Sequence, residues 1–400
     1  MRLNLTSLLA SETGVAGGGR TENHITLDAS MSPTYSIPMP LARELVHSLP
    51  KVLLHEHLDG GLRPQTLLDL AADQGYAGLP ESEPDALAKW FQRGADRGSL
   101  ALYLEGFAHT IAVMQSPDAL ERIAFEALED LAEENVVYAE LRFAPHFATT
   151  DAMDLDAVMD AVHRGCERAR AEHGIEYGLI ICAMRNETSA HSLEMAQLAS
   201  SWFDRGVVGF DLAGEEEGHP SKHHVEAFQL IQRRNGSITI HAGESFGPES
   251  IWQALQYCGA HRIGHGTRLI EDLGLHDGQV VHMGGLARYI LDHRIPIEVC
   301  LSSNVHTGAT PSLAEHPFPV FLHGGFRVTL NTDNRLMSGV TMTDELVLAS
   351  EQFGCALGDL ERLSVNAMKS AFCGYHDRKR ILAERILPAY RQAADANPDA

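Results

Sequence analysis

The sequence contains no long hydrophobic run and few basic residues. Spanning a bilayer takes about 18 consecutive apolar residues, and no segment of the 400-residue chain approaches that length. Only 31 Lys and Arg stand against 54 Asp and Glu, which gives a formal net charge of −23 at pH 7. Because phosphate groups bind to clusters of basic side chains, this charge argues against a nucleic acid or an anionic membrane as partner. The sequence therefore predicts a protein that binds neither.

Closely spaced cysteine pairs are also absent. The six cysteines are widely separated, no CxxC motif occurs, and several cysteines lie in apolar segments such as LIICAM and IEVCLSS. A disulfide framework or a cysteine-based zinc site needs regular, close spacing, whereas a cysteine in an apolar strand acts as a small hydrophobic residue. The pattern predicts a protein of the reducing cytoplasm.

The first segment, residues 1–34, lacks the features of a secretory signal. Its start, MRLNLTSLLASETGVAGGGR, has a very short apolar patch followed by polar and glycine-rich sequence. Signal peptides carry a longer apolar region and a cleavage site. We predict a disordered extension over residues 1–34 and one domain over residues 35–400, since no domain-sized linker or internal repeat follows.

Eight apolar segments alternate with amphipathic helical patterns. They lie at residues 51–57, 136–145, 177–185, 207–214, 237–244, 261–266, 296–304 and 326–334. Buried strands separated by helices indicate a parallel sheet covered by helices, and eight such units predict an α/β protein with a closed (β/α)₈ TIM barrel. Extra helices are predicted after strand one (75–116) and at the C-terminus (359–395). An open doubly wound sheet is the alternative, but the glycine fingerprint of its first turn is replaced here by HEHLDGG.

Polar residues cluster where the predicted strands end, which is where barrel enzymes carry their catalytic groups. From strand one to strand eight, these residues are His55, Glu56, His57, Asp59, Gly214, Glu215, Glu216, Glu217, His241, Glu244, His265, Ser302, Ser303, Asn304, Asp333 and Asn334. Because the C-terminal ends of all eight strands meet at one mouth of the barrel, these residues are the candidates from which a single site is predicted to form.

The spacing of two histidines in the first strand predicts a metal site. Residues two apart in a strand point to the same face, so His55 and His57 lie side by side and Glu56 points away. Together with His241 and Asp333, the two histidines form a set of three imidazoles and one carboxylate. Such ligands suit zinc, and a water can complete the coordination.

Several of these residues also have a simpler explanation. His265 alone would fit a core histidine that is hydrogen-bonded to backbone. Asp333 would fit the N-cap of a helix, and Glu244 would stabilise the start of a helix. The run from Glu215 to Glu217, together with His219, is predicted to be a solvated acidic loop. For the others, joint placement on different strands at one barrel mouth favours a functional site.

Six motifs in these strand ends resemble the adenosine deaminase family. They are HEHLDGGLRP at 55–64, DLAGEE at 211–216, HAGE at 241–244, RIGHGTRL at 262–269, LSSNVHTG at 301–308 and LNTDN at 330–334, and they occur in the family's order. The resemblance implies a zinc-dependent hydrolase that converts adenosine and 2′-deoxyadenosine to inosine and 2′-deoxyinosine in purine salvage, with release of ammonia.

The resemblance also implies a role for each site residue. One zinc ion per chain would be held by His55, His57, His241 and Asp333. Its bound water would attack C6 of the purine, Glu244 would protonate ring nitrogen N1, and His265 would orient the water and stabilise the developing oxyanion. Asp333 would also accept a proton from the water. Arg142 and Arg185 are expected to brace the site through ion pairs.

Substrate contacts are implied at four positions, of which one departs from the family pattern. His57 and Asp59 would contact the substrate, Asp59 at the ribose hydroxyls, and the backbone NH of Gly214 would bind ring nitrogen N3. Two aspartates usually follow NT in this family, and here the second is Asn334. An asparagine amide donates to purine N7 directly, whereas a carboxylate needs a shared proton. Asn334 is therefore expected to bind purine with altered affinity or preference.

Other functions share part of this pattern. A deaminase of a 5′-modified adenine nucleoside such as 6-amino-6-deoxyfutalosine, or of adenine, would keep the chemistry and change the substrate. Another metal-dependent hydrolase of this barrel type would carry a carboxylated lysine after strand four, where the sequence reads FDLAGEEEG, and polynucleotide deaminases use a PCxxC motif that is absent. An inactive binding protein would not need the full ligand set and Glu244. The predicted partner is a small purine nucleoside.

Overall fold

The predicted apolar segments form a closed parallel barrel. The computed structural model of the protein describes residues 40–398, so the predicted extension at residues 1–34 lies outside the described residues. The strands of the described part are β1 (Lys51–His57), β2 (Val136–Phe143), β3 (Glu176–Met184), β4 (Val207–Ala213), β5 (Ser237–Ala242), β6 (Arg262–His265), β7 (Leu273–His276), β8 (Gln279–Met283), β9 (Pro296–Val299) and β10 (Arg327–Leu330). Eight of them pair in parallel in the order β1-β2-β3-β4-β5-β6-β9-β10.

The segment after the last strand closes the barrel against the first. The amide of Asp333 donates to the carbonyl of His55 (2.9 Å), and the amide of His57 donates to the carbonyl of Asp333 (2.7 Å). The amide of Leu54 donates to Oδ1 of Asn331 (3.0 Å). These bonds confirm the predicted (β/α)₈ barrel and hold Asp333 between the two histidines of β1.

Helices cover the outside of the barrel. Up to β9 they span Arg43–Ser48, Pro64–Gln74, Pro84–Ala95, Leu100–Tyr103, Phe107–Val113, Pro117–Glu133, Leu155–His173, Ser189–Ser201, Val225–Arg233, Pro248–Gln256 and Gly285–Asp292. The later helices span Leu301–His306, Phe318–His323, Arg335–Ser338, Met342–Phe353, Leu357–Ser370, Tyr375–Ile381 and Leu387–Ala396, with a π-helical turn at Leu382–Ile386. The extra helices predicted after strand one and at the C-terminus are both present. Within residues 40–398, no helix is long and apolar enough to cross a bilayer.

The helix Pro117–Glu133 has a well-defined start and one buried face. The hydroxyl of Ser116 accepts a hydrogen bond from the amide of Ala119 (3.3 Å). Pro117 lies in the first turn, where NH groups have no partner within the helix, so the lack of an NH in proline costs nothing. Apolar side chains at three- and four-residue spacing are buried at Ala119, Leu120, Ile123, Ala124, Ala127, Leu128 and Leu131. Burial of such a face supplies most of the stability of a helix in a protein.

An antiparallel hairpin, β7–β8, was not predicted. Its turn consists of Asp277 and Gly278, both with positive φ (50° and 74°), which is what a type I′ turn requires. A DG pair between two short segments is the local signal for a hairpin. Most residues of the hairpin are at least partly exposed, so it lacks the continuous apolar run that identifies the barrel strands.

Candidate metal centre and active site

Three imidazole rings and one carboxylate converge at the mouth of the barrel. His55 and His57 lie at the end of β1, His241 lies in β5, and Asp333 follows β10. Nε2 of His241 lies 3.1 Å from Nε2 of both His55 and His57. Oδ1 of Asp333 lies 3.3 Å from Nε2 of His55 and 3.5 Å from Nε2 of His57. A zinc ion with four ligands about 2.0–2.1 Å away has ligand–ligand distances of about 3.3–3.4 Å. The four distances given above lie close to this value.

Carboxylates behind the site orient two of the rings. Nδ1 of His55 lies 2.9 Å from Oε2 of Glu298, and Nδ1 of His241 lies 3.0 Å from Oδ2 of Asp211. A neutral imidazole that donates its Nδ1–H keeps a lone pair on Nε2. Burial lowers the pKa of His241 and thereby keeps that ring neutral. Both Nε2 lone pairs point to a common centre, as metal binding requires.

Arg142 joins these two carboxylates. Its guanidinium donates to Oδ2 of Asp211 (2.9 Å) and to Oε2 of Glu298 (3.0 Å), and all three side chains are fully buried. Burial opposes ionisation of both acids, but the neighbouring arginine and histidine groups outweigh it and hold the pKa of Asp211 and of Glu298 well below the usual range. The predicted bracing role of Arg142 is confirmed.

Two further predictions of structural roles agree with the contacts. Arg185 is buried, and its predicted ion pair is a long one, with Nη2 3.9 Å from Oε1 of Glu216. Its guanidinium also donates to the main-chain carbonyls of His219 (3.1 Å) and His241, so it braces the end of β5. Glu56 points away from the ligand set, as its place in the strand predicts. Its carboxylate accepts a hydrogen bond from Nε of Arg335 (2.7 Å).

A fourth histidine, His265, also lies at this mouth. The potential ligands whose atoms all lie within 4.8 Å of one another are His55, His241, His265 and Asp333. His57 lies outside that group, but its Nε2 is only 3.1 Å from Nε2 of His241 and 3.5 Å from Oδ1 of Asp333. The hydrogen bonds of the His265 ring decide between the two histidines.

The hydrogen-bond partners of Asn304 define the tautomer of His265. Oδ1 of Asn304 faces the amide of Cys300 (3.4 Å) and Nε2 of His316 (3.2 Å), and Nδ1 of His316 accepts the amide of Phe318 (3.0 Å). The NH₂ group of Asn304 therefore faces Nδ1 of His265, at 2.9 Å. His265 accepts at Nδ1 and carries its proton on Nε2. A protonated nitrogen has no lone pair for a metal, which favours His57 over His265 as a ligand.

Glu244 is buried next to this ring. Its Oε2 lies 3.7 Å from Nε2 of His265. Burial, followed by the negative charges of Asp333 and Glu216, raises the pKa of Glu244 well above its ordinary value. A pKa raised in this way favours the protonated carboxyl that a general acid needs.

Two site residues have a backbone conformation that side chains rarely adopt. His265 has a φ of 61° and Asp333 a φ of 63°, and such conformations cost on the order of 1–3 kcal/mol each and concentrate at functional sites. Next to His265, Gly264 has no side chain because a Cβ there would lie 3.1 Å from Cε1 of His55 and 3.2 Å from Cα of His241. The GHG motif thus lets the rings pack together.

The predicted substrate-binding residues lie around this cluster. Asp59 and Asn334 are buried, and Oδ1 of each has no hydrogen-bond partner among the residues that the structure describes. Burial raises the pKa of Asp59 to about 7. A Cβ at Gly60 would overlap Oδ1 of Asn334, so glycine is needed there. Gly214 directly follows β4 with a φ of 96°.

Glu216 contradicts the predicted solvated acidic loop. Glu215 and Glu217 are exposed, but Glu216 is only 3% exposed, and its carboxylate accepts hydrogen bonds from the loop that carries Glu244. Because the three consecutive residues are all glutamate, the sequence does not indicate which side chain is buried. Positive φ angles at the flanking glycines, Gly214 and Gly218, fold the segment back so that only the central one is buried.

Two functional carboxylates, Asp211 and Glu298, were not assigned a role from the sequence. Each lies within an otherwise apolar strand, in FDLA of β4 and PIEV of β9. A buried charge persists only where it is paired and hydrogen-bonded. An isolated acid inside a buried strand is therefore the signal that indicates a partner ring or cation.

Comparison with known proteins identifies the family. The family model described as "Adenosine deaminase" matches residues 50–388. The chain belongs to the adenosine deaminase family. Relatives of this family include adenosine deaminase 1 of Streptomyces coelicolor, 50% identical over 352 residues that cover 87% of this chain and 88% of the relative. Adenosine deaminase of Mycobacterium avium is 50% identical over 360 residues, covering 88% of this chain and 98% of the relative.

Solved deaminase structures share the fold of this family member. The N6-mAMP deaminase of Arabidopsis aligns with a TM-score of 0.73 and 28% identity, covering 88% of this chain and 99% of that one. The adenine deaminase of Arthrobacter aurescens aligns with a TM-score of 0.77 and 22% identity, covering 87% and 100%. Family membership confirms the predicted enzyme class, a metal-dependent barrel hydrolase that acts on an amidine C–N bond, and the His/Asp cluster could hold the metal.

Proposed function

We propose that the protein is a zinc-dependent adenosine deaminase that hydrolyses adenosine and 2′-deoxyadenosine to inosine and 2′-deoxyinosine plus ammonia. One observation carries the proposal: potential ligand atoms separated by 3.1–3.5 Å lie beside the buried carboxyl group of Glu244. Relatives named adenosine deaminase, at 50% identity over most of the chain, support adenosine rather than adenine or a 5′-modified nucleoside. We place the reaction in the cytoplasm and expect no nucleic acid or membrane as partner.

The ligand set that we propose consists of His55, His57, His241 and Asp333. Nitrogen and carboxylate-oxygen ligands in a four-coordinate arrangement suit zinc, and the carboxylates behind two of the rings direct lone pairs inward. When bound, zinc supplies a Lewis acid that lowers the pKa of a water toward 7.

The side chains around this centre divide the proton transfers among them. Glu244 gives its proton to purine N1, which makes C6 electrophilic. A water oxygen then bonds to C6, and Nε2–H of His265 donates to that oxygen as its negative charge develops. Asp333 accepts a proton from the water, while Oγ of Ser303 donates to its other carboxylate oxygen at 2.5 Å. The proton held by Asp333 then passes to N6, the C6–N6 bond breaks, and ammonia leaves. The C6 hydroxyl returns its proton to Glu244 as the carbonyl of inosine forms.

The substrate contacts in this proposal involve Asp59, His57, Gly214 and Asn334. Asp59 accepts the ribose hydroxyls through an oxygen that otherwise has no partner in residues 40–398, and His57 lines the same side, with its Nδ1 3.9 Å from Oδ1 of Asp59. The backbone NH of Gly214 donates to purine N3, and the amide of Asn334 donates to N7.

An ultraviolet assay of the purified, zinc-loaded protein tests the proposed function. Adenosine, 2′-deoxyadenosine, adenine and 5′-modified adenosines would be compared at equal concentration, with Glu244→Gln as the inactive control. We expect the highest kcat/KM for the two unmodified nucleosides. Faster turnover of adenine or of a 5′-modified nucleoside would replace the proposed substrate, and no turnover of adenosine by zinc-loaded protein would reject the proposal.

A further inference from the structure

The loop at residues 243–246 lies between β5 and the helix Pro248–Gln256, outside any helix or strand. It carries Glu244, whose side chain must reach the purine ring with little error, because misplacement by about 1 Å can cost about 10²-fold in rate. A loop of this kind needs something outside itself to hold its backbone.

One buried carboxylate binds the whole loop. Oε2 of Glu216 accepts the amides of Glu244 (3.2 Å), Ser245 (3.0 Å) and Phe246 (2.7 Å). Oε1 accepts the amide of Gly243 (2.8 Å) and Oγ of Ser250 (3.0 Å). Four consecutive backbone NH groups thus point at one anion, the geometry of a backbone nest.

The residues around the carboxylate make this arrangement possible. Gly243 has a φ of 73°, and a Cβ there would lie 2.5 Å from Cδ1 of Ile251, so the amides converge only with glycine at this position. Nη2 of Arg185 lies 3.9 Å from Oε1 of Glu216, and both side chains are buried. The arginine supplies the countercharge that a buried carboxylate needs.

We infer that Glu216 is a positioning residue for the deamination reaction, which holds the backbone of Glu244 through the loop amides so that the Glu244 carboxyl faces the substrate. The inference rests on the proposed function. Glu216 itself touches neither the ligand set nor the predicted substrate contacts, so removing its carboxylate should slow the chemical step more than it weakens substrate or metal binding.

Glu216→Gln is the direct test. Glutamine places an NH₂ donor where one oxygen accepts backbone amides, so part of the nest is lost while the side chain keeps its size. We expect kcat to fall by about 10²-fold, with KM and zinc content close to the parent values. Glu216→Asp keeps the charge on a shorter side chain and should recover part of the lost kcat.

Glu217→Gln is the matched control, because it makes the same chemical change on an exposed neighbour in the same segment. Its kcat should stay within about twofold of the parent, as for ordinary surface substitutions. If Glu216→Gln also stays within that range, or if KM rises while kcat is unchanged, the inference is wrong. If the parent enzyme does not deaminate adenosine, the proposed function fails instead.

Hydrogen exchange in the unmodified, zinc-loaded enzyme gives a second test that does not depend on a variant folding. Amides of an irregular loop normally exchange rapidly, whereas amides 243–246 should be protected because they bind Glu216. Rapid exchange at all four positions would contradict the inference. Protection in the parent that is lost in Glu216→Gln would support it directly.

Discussion

Nε2 of His55 lies 3.1 Å from Nε2 of His241, although the other nitrogen of each ring faces a carboxylate. Two lone pairs that face each other at this distance repel unless a cation, a metal ion or a proton, lies between them. The site therefore favours a cation at this position.

Metal removal should for this reason affect both activity and stability. We expect elemental analysis of the purified protein to find one zinc per chain, and a strong chelator to abolish turnover. Zinc at about 100 times its dissociation constant should restore about 3 kcal/mol of stability relative to the metal-free protein, seen as a rise in the melting temperature by calorimetry. Two metals per chain, or equal melting temperatures with and without zinc, would contradict the single-zinc site.

Glu298→Gln should weaken zinc binding without removing a ligand. The carboxylate fixes the ring of His55 through Nδ1 (2.9 Å), and loss of such a partner typically costs about 10–100-fold in metal affinity. Glu140→Gln is the matched control. Glu140 is equally buried and, like Glu298, accepts a hydrogen bond from Arg262, but Glu140 contacts no ligand ring. Competition with a fluorescent zinc chelator should show reduced affinity for Glu298→Gln alone.

The barrel and the convergence of His55, His57, His241 and Asp333 at its mouth could be predicted from local patterns. Continuous apolar segments separated by helical periodicity define eight parallel strands, and the C-terminal ends of such strands meet at one mouth. His55 and His57 share a face because side chains alternate along a strand, and the contacts of both with His241 agree with that geometry. Position along a strand is a property of the local sequence, so these inferences need no tertiary information.

The features that the sequence did not predict depend on contacts between distant segments. Glu216 turns inward because it accepts hydrogen bonds from the amides of another loop, about 27 residues further along the chain. Its neighbours in the sequence are also glutamates, so the sequence does not distinguish it from them. The tautomer of His265 follows from a chain of hydrogen bonds through Asn304 and His316. No local pattern encodes either arrangement.

Glu244→Gln should keep the fold and the zinc but lose nearly all turnover. Glutamine is similar in shape and cannot release a proton to N1, and general acid catalysis typically contributes about 10²–10⁴-fold. Steady-state kinetics would measure the loss, while elemental analysis and calorimetric titration with inosine would show that zinc and the binding site are intact. Substantial residual activity would remove Glu244 as the N1 proton donor.

Asn334→Asp should change how the purine is bound and leave the metal in place. Asn334 is buried against Gly60, and a carboxylate there would need a proton of its own before it could donate to N7. An unmet hydrogen bond of this kind costs about 1–3 kcal/mol, so kcat/KM for adenosine should fall by about tenfold or more at neutral pH, and the loss should grow as the pH rises and the carboxyl ionises.

The analogue 7-deazaadenosine provides the control for Asn334→Asp, because it lacks the N7 acceptor. If the amide donates to N7, the parent enzyme should lose activity on this analogue, and the difference between parent and variant should largely disappear, as for two changes that remove the same interaction. Equal effects of the substitution on adenosine and on 7-deazaadenosine would mean that Asn334 does not face N7, and the substitution would then act through the negative charge that it adds beside Asp333.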